Sequence, residues 1–209
     1  WFQRDSHHTT EWFPRAVAPN TKCSYLRKPA KYSDLIFTKV QISLRLGSKD
    51  PITIGDNFYS YKYQGGSMDL VAYYLWPINL DYTAGSTPGN GFSVTHTPVT
   101  GLPTPCNGET LTMSNGESRT FKNPLVGFTE KSVPCAFKIV APAGRKMSIQ
   151  GIKMGLTSGE ELKIKPYTPT YDTFYDMSTN VMRTWSNIVI VYYRGSTTYT
   201  GWEIKVTVV

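Results

Sequence analysis

Apolar and polar residues alternate along much of this 209-residue chain. From Val40 onward, Val40, Ile42, Leu44 and Leu46 stand at every second position, which is the period of a strand with one face buried. Leu35 and Phe37 lead into that run, which predicts a strand over residues 34–46. Further runs predict short strands at 23–28, 52–54, 58–63, 70–75 and 91–97. A second set falls at 111–113, 118–121, 136–140, 146–156, 161–165, 174–177, 187–193 and 201–209. Asn115-Gly116 is a hairpin turn signal between two of these runs, and Pro142-Ala-Gly144 separates two others. No segment carries the period of a long helix. Short strands every 8–12 residues predict an all-β sandwich or jelly roll.

The pattern recurs. Asp69-Leu-Val-Ala-Tyr-Tyr-Leu-Trp76 echoes Asn187-Ile-Val-Ile-Val-Tyr-Tyr-Arg194, and each is followed by Gly-Ser-Thr and then Gly-aromatic-x-Val/Ile, with Phe92 matching Trp202. Cys23 and Cys135 also correspond, as do Asp56-Asn-Phe-Tyr59 and Asp172-Thr-Phe-Tyr175. The offset between copies falls from 118 at the Tyr-Tyr run to 110 at Gly-Ser-Thr, which places an eight-residue insertion near 76–84 in the first copy. This predicts two homologous domains of ordinary size, 1–99 and 106–209, joined by a proline-stiffened linker over 100–105.

Composition adds bounds. The net charge is +7, and it is spread over both halves: +3 over residues 1–105 and +4 over 106–209. There is no Lys/Arg run, so the charge favours acidic partners in general without pointing to nucleic acid. No apolar stretch approaches the roughly 20 residues of a membrane helix. The chain begins Trp-Phe-Gln, as a processed mature chain or a fragment would, and it holds no Asn-x-Ser/Thr sequon. Its three cysteines are Cys23, Cys106 and Cys135.

The second unit resembles the CUB domain family. An opening cysteine, Cys106, is followed by a Gly/Asn-rich turn, and a second cysteine leads the strand Cys135-Ala-Phe-Lys-Ile-Val-Ala-Pro142. The unit closes with an apolar strand, Gly195-Ser-Thr and Gly201-Trp-Glu-Ile. The likeness is good over 106–209 and weaker over 12–99. It implies two antiparallel jelly-roll-like β-sandwich domains in tandem, a Cys106–Cys135 disulfide and a secreted, extracellular setting. The chain departs from the family in lacking a second disulfide in either copy, and in lacking an opening cysteine in the first copy. By the spacing of the second copy that cysteine would lie just before Trp1, so either the chain is cut there or Cys23 is a free thiol or one joined to another chain. Many CUB domains hold calcium through a Glu and two Asp. Here the first Asp position falls at Glu160 or Glu161 and the last at Arg194, a cation, so no metal and no cofactor are expected.

The candidate chemistry is that of binding. No phosphate loop, nucleotide fingerprint, zinc motif or hydrolase triad is present. His7-His8 has no thiolate or carboxylate at ligand spacing, and His96 sits within a strand. The 76–84 insertion would set Trp76, Ile78, Leu80 and Tyr82 in a loop at the rim, where aromatic side chains serve as binding anchors. A Tyr/Thr/Pro-rich loop over 166–172 offers Tyr167 and Tyr171, and Lys163, Lys165 and Arg194 would give that end a positive face for sulfated or sialylated glycans. The chain thus reads as a secreted, non-catalytic recognition module that engages another extracellular protein or an acidic glycan through its loops and the face between its domains. The alternative is an accessory CUB segment of a larger secreted protease or multidomain protein.

Overall fold

The alternating run from Val40 does not stop at Leu46. In the computed structural model it continues through a corner into Ile52 and Ile54, forming one strand of 19 residues. The structure describes residues 6–9, 13–27, 37–56, 59–75, 77–128, 132–166, 175–176, 182–195 and 201–209. The chain divides into two compact units, Trp1–Thr100 and Gly101–Val209. Both are built of strands.

Unit 1 contains β1 (Ser6–Thr9), β2 (Lys22–Arg27), β3 (Phe37–Gly55), β4 (Ser60–Leu75), β5 (Ile78–Thr83) and β6 (Gly91–Pro98). They form a single antiparallel sheet of order β1-β6-β3-β5-β2, with β4 paired to β3. The sheet makes two layers because its central ribbon, β3 with β4, folds over. Residues 37–46 of β3 lie between β6 and residues 66–75 of β4. Residues 51–55 pair with residues 60–64 of β4, and 52–55 pair with residues 79–82 of β5. At the fold, Leu46 pairs with Gly66 and Pro51 with Gln64, so residues 47–50 of β3 face Gly65 alone. A surplus on one strand bends a ribbon, and Gly65 and Gly66 take positive φ there (70° and 82°), which glycine does without steric cost. Strands predicted separately at 34–46 and 52–54, and at 58–63 and 70–75, are therefore two continuous strands turning one corner.

A buried carboxylate holds that corner. Asp50, with no solvent exposure, accepts the backbone N–H groups of Gly47 (2.8 Å), Gly85 (2.7 Å) and Gly89 (2.8 Å) and the Tyr82 hydroxyl (3.4 Å). It ties the bulge to the β5–β6 connection. The backbones meet so closely that a Cβ on Gly89 would run into the Arg45 carbonyl and the Gly47 nitrogen. At the tip of the ribbon, Asp56 accepts N–H groups from Tyr59 (2.7 Å) and from Leu75 (2.5 Å), the far end of β4. The folded ribbon thus closes on itself, and Val40, Ile42, Leu44, Ile52, Ile54, Ile78, Leu80, Tyr82, Phe92 and Val94 share one core.

Unit 2 is a two-sheet sandwich. It contains β7 (Asn107–Thr112), β8 (Ser118–Lys122), β9 (Pro134–Val140), β10 (Met147–Met154), β11 (Glu161–Pro166), β12 (Tyr175–Asp176), β13 (Met182–Trp185), β14 (Ile188–Arg194) and β15 (Trp202–Val208). The sheets run β13-β10-β15-β8 and β12-β11-β14-β9-β7. All pairs are antiparallel except β7 with β9, which is parallel. The Asn115-Gly116 turn forms as expected, with Glu117 N–H on the Ser114 carbonyl (3.1 Å), but it joins two sheets instead of closing a hairpin. Phe121 against Phe137 (5.6 Å between centroids) and Tyr193 against Trp202 (5.9 Å) pack across the gap between sheets. The Cys106–Cys135 disulfide is present, with Cα atoms 4.4 Å apart, at the start of the parallel β7–β9 pair. Closing a loop of this size is worth roughly 3–4 kcal/mol in the chain-entropy account. Cys23 is unpaired, partly buried on β2 opposite Tyr82.

Burial pushes the Asp50 carboxyl up, but its backbone N–H donors and Tyr82 more than offset this and hold it below the usual carboxylate range. The stability it supplies is present above about pH 4, the unfolded value, and is lost as pH falls below that. Substituting Asp50→Asn should lower stability by roughly 3 kcal/mol in urea unfolding at pH 7, because N–H donors lose a charged acceptor. The deficit should shrink at pH 3; an equal deficit at both pH values would contradict the assignment.

Candidate functional site

The two faces of unit 2's sheets differ in access. On the five-stranded sheet, β9 and β14 are buried on both sides: Phe137, Ile139, Val189, Val191 and Tyr193 face the core, yet Ala136, Ile190 and Tyr192 on the opposite face are also nearly solvent-free. The register sets Lys138 beside Ile190, Ile190 beside Lys165, Tyr192 beside Lys163, and Arg194 beside Glu161. Lys163, Lys165 and Arg194 therefore do share one face, and Lys138 joins them. That face does not present an open cationic surface. Lys138 and Lys165 are each 8% exposed, and Lys163 sits 2.9 Å from a Glu161 carboxylate oxygen. The alternation of β9 could have revealed Lys138, but only the three-dimensional burial shows that the face is closed.

The outer face of the four-stranded sheet is open. Strand β15 presents Glu203, Lys205 and Thr207 outward, alternating with Trp202, Ile204, Val206 and Val208 in the core. Register places three polar rows across it: Ser148–Thr207–Ser118, Gln150–Lys205–Thr120 and Lys153–Glu203–Lys122. Ser118 and Thr207 hydroxyls are hydrogen-bonded (3.0 Å), and Lys122 approaches Glu203 at 3.4 Å. A shallow depression of about 250 Å³ lies among Ser148, Gln150, Lys205, Thr207 and Val209. The rows hold three lysines against one glutamate, all with amide or hydroxyl neighbours. A bulge between Gly151 and Lys153 shifts the register by one residue, and Ile152 there is 43% exposed. The sequence carries this signal in the polar positions of the 146–156 and 201–209 strands, whose apolar partners alone mark them as strands.

The rim insertion is corrected by the structure. Residues 78–83 are not a loop but strand β5, paired to β2 and β3. Ile78, Leu80 and Tyr82 are 0%, 1% and 2% exposed, so they build the unit 1 core and are closed to a ligand. The strict alternation Ile-x-Leu-x-Tyr is itself a strand signal. Burial first and the Asp50 charge second raise the Tyr82 hydroxyl well above its ordinary range, so it stays a neutral donor to Asp50. Trp76, Tyr167 and Tyr171 lie outside the described residues, as do the side chains of His7 and His8. His96 faces the unit 1 core at 2% exposure, with the Tyr25 ring 6.1 Å away.

Glu160 accepts the Thr157 N–H (2.7 Å) and hydroxyl (2.9 Å) on one oxygen and the Tyr193 hydroxyl (2.6 Å) on the other. It locks a turn to the core. Among the described residues, no three His, Cys, Asp or Glu side chains gather as metal ligands would. Among the described residues, too, no helix is long and apolar enough to cross a membrane.

No family model matches the sequence, and no curated protein does. Among solved structures, the chain is similar to the CUB1-EGF-CUB2 domains of human MASP-1/3, at 10% identity and a TM-score of 0.37, covering 98% of this chain and 99% of that one. It is also similar to the full extracellular region of zebrafish Gpr126/Adgrg6, at 10% identity and a TM-score of 0.38, covering 97% of this chain and 32% of that one. The MASP-1 CUB2 domain bound to Ca2+ aligns with 48% of the chain and 98% of its own length, at 15% identity and a TM-score of 0.35. At such scores and identities the likeness carries no argument about site, ligand or metal.

The difference between the two sheet faces is directly measurable. In a timed acylation of native protein, Lys122, Lys153 and Lys205 should label early, and Lys138 and Lys165 last. Early labelling of Lys138 would show that the five-stranded face is open.

Proposed function

We propose that this chain is a non-catalytic recognition module acting outside the cell, and that it holds an anionic glycan on the outer face of the four-stranded sheet. The observation that carries the reading is the open array around Lys205: three parallel rows of hydroxyl, amide and ammonium groups, net positive, over a shallow depression. Sulfate and carboxylate groups spaced along a sugar chain match such rows, because ammonium groups supply charge and hydroxyl and amide groups supply directional hydrogen bonds. The chain's +7 charge raises the encounter rate with any polyanion. The Cys106–Cys135 disulfide fits an oxidising compartment. Arg194 has a place in this reading only as a flank of the closed sheet, and Trp76, Tyr167 and Tyr171 remain proposed contacts that the reading does not need.

Binding to immobilised heparin-derived oligosaccharides should be weak, salt-sensitive and reduced about tenfold by Lys205→Gln with Lys122→Gln, with the melting temperature little changed. Retention of the double variant equal to wild type would remove the site. An equal loss on Lys49→Glu, in unit 1, would show non-specific polyanion attraction instead.

A further inference from the structure

The folding of the β3–β4 ribbon leaves β4 as an edge in both layers of unit 1. Among the described residues it pairs with β3 alone. Residues 66–72 of this edge are all exposed or half-buried, and they include Met68 (46% exposed) and Val71 (51%), two large apolar side chains within four positions. Met68, Leu70 and Ala72 stand opposite Leu44, Ile42 and Val40, so they lie on the core face, at its unfinished margin. Just outside, a depression of about 330 Å³ is lined by Gln41, Ile42, Ser43, Asp69, Leu70 and Val71. Two other edges are guarded by charge: β2 carries Lys22 and Arg27, and β8 carries Arg119 and Lys122. Residues 66–72 hold no lysine and no proline, the usual blocks to strand addition. Their one charge, Asp69, is neutralised by a bidentate pair with Arg45 (3.0 and 2.9 Å).

We propose that this edge is where a second copy of the chain docks, by antiparallel β4–β4 pairing about a two-fold axis at Leu70. A two-fold pairing joins a surface to itself, so the segment must be self-complementary. Centring on Asp69 would crowd two Arg45–Asp69 pairs together and oppose Met68 to Leu70, large against large, which disfavours pairing. Centring on Val71 would require contact with Tyr74 and Leu75, each only 1% exposed. Centring on Leu70 confines the pairing to 67–73. It opposes Leu70 to its mate and Met68 to Ala72, large against small, which completes the margin of both cores. On the outer side it opposes Val71 to Asp69. Seven residues span about 24 Å, so the contact falls below the roughly 800 Å² per partner of a standard interface. The association is accordingly weak and reversible, read at hundreds of micromolar. This inference rests on unit 1 and is independent of the glycan reading.

Sedimentation equilibrium from about 10 µM to 1 mM should show a reversible rise toward twice the mass of one chain. Met68→Lys should abolish it by putting a charge into the apolar seam, without lowering the melting temperature. Val71→Lys should retain it, because position 71 faces outward, away from the apolar seam of Met68, Leu70 and Ala72. Leu70→Cys, in a Cys23→Ser background, should form an intermolecular disulfide under mild oxidation. A wild type that stays monomeric at 1 mM overturns the proposal. So does equal loss on both lysine variants, which marks an unspecific apolar patch. If the chain stays monomeric but captures an added extended peptide in a Met68-dependent way, the edge serves a foreign strand and the assignment to a second copy falls.

Discussion

The buried Asp50 carboxylate is the interaction on which unit 1 depends. A 19-residue strand would otherwise run straight for about 60 Å, far longer than a small domain. Asp50 makes the corner possible because its two oxygens accept N–H groups from the bulge and from the β5–β6 connection at once. Gly47 and Gly89 make it compact, since side chains there would force the backbones apart. Once the ribbon is folded, Asp56 can reach Leu75, and both halves of β3 can bury their apolar residues in one core. Among the described residues the same fold leaves β4 paired on one side only, so the stabilising corner and the exposed edge have one cause.

Unit 2 solves the same problem differently. It crosses between sheets at turns, at Asn115-Gly116 and at Pro142-Ala-Gly144, and it ties the parallel β7–β9 pair with a disulfide. Glu160 plays a role related to that of Asp50, a buried carboxylate satisfied by a turn and by a tyrosine hydroxyl. The two similar stretches of sequence sit in unlike surroundings. The Tyr-Tyr strand is an edge in unit 1 and central in unit 2, and Cys23 lies on an edge strand where Cys135 lies in mid-sheet. Phe92 and Trp202 are alike in being buried.

Much of this is legible in the chain because alternation reports burial directly. The strands of the core, the absence of long helices among the described residues and the Asn115-Gly116 turn all follow from local pattern. What local pattern does not show is continuity and pairing. Nothing in 47–50 announces that a strand passes through a corner, because the signal is a carboxylate three residues from a glycine and about 35 from its other partners. The 78–83 segment departs from expectation for a related reason. The offset between repeats marks it as extra, and an insertion is by default a loop, although Ile78, Leu80 and Tyr82 alternate as a strand does. Lysines are legible as charge but not as access. Lys165 and Lys205 look alike in sequence, yet one is nearly buried and the other stands at the centre of an open face.

A folded ribbon closes unit 1 and, among the described residues, leaves the far edge of β4 open, and amide hydrogen exchange along β4 is the measurement to make. In dilute protein, amides at 67–72 that point toward β3 should be protected and those that point away should exchange freely, giving alternation along the strand. Raising the concentration should slow the outward set alone. Uniform protection of β4 at every concentration would mean that the edge is already covered, and would contradict the account.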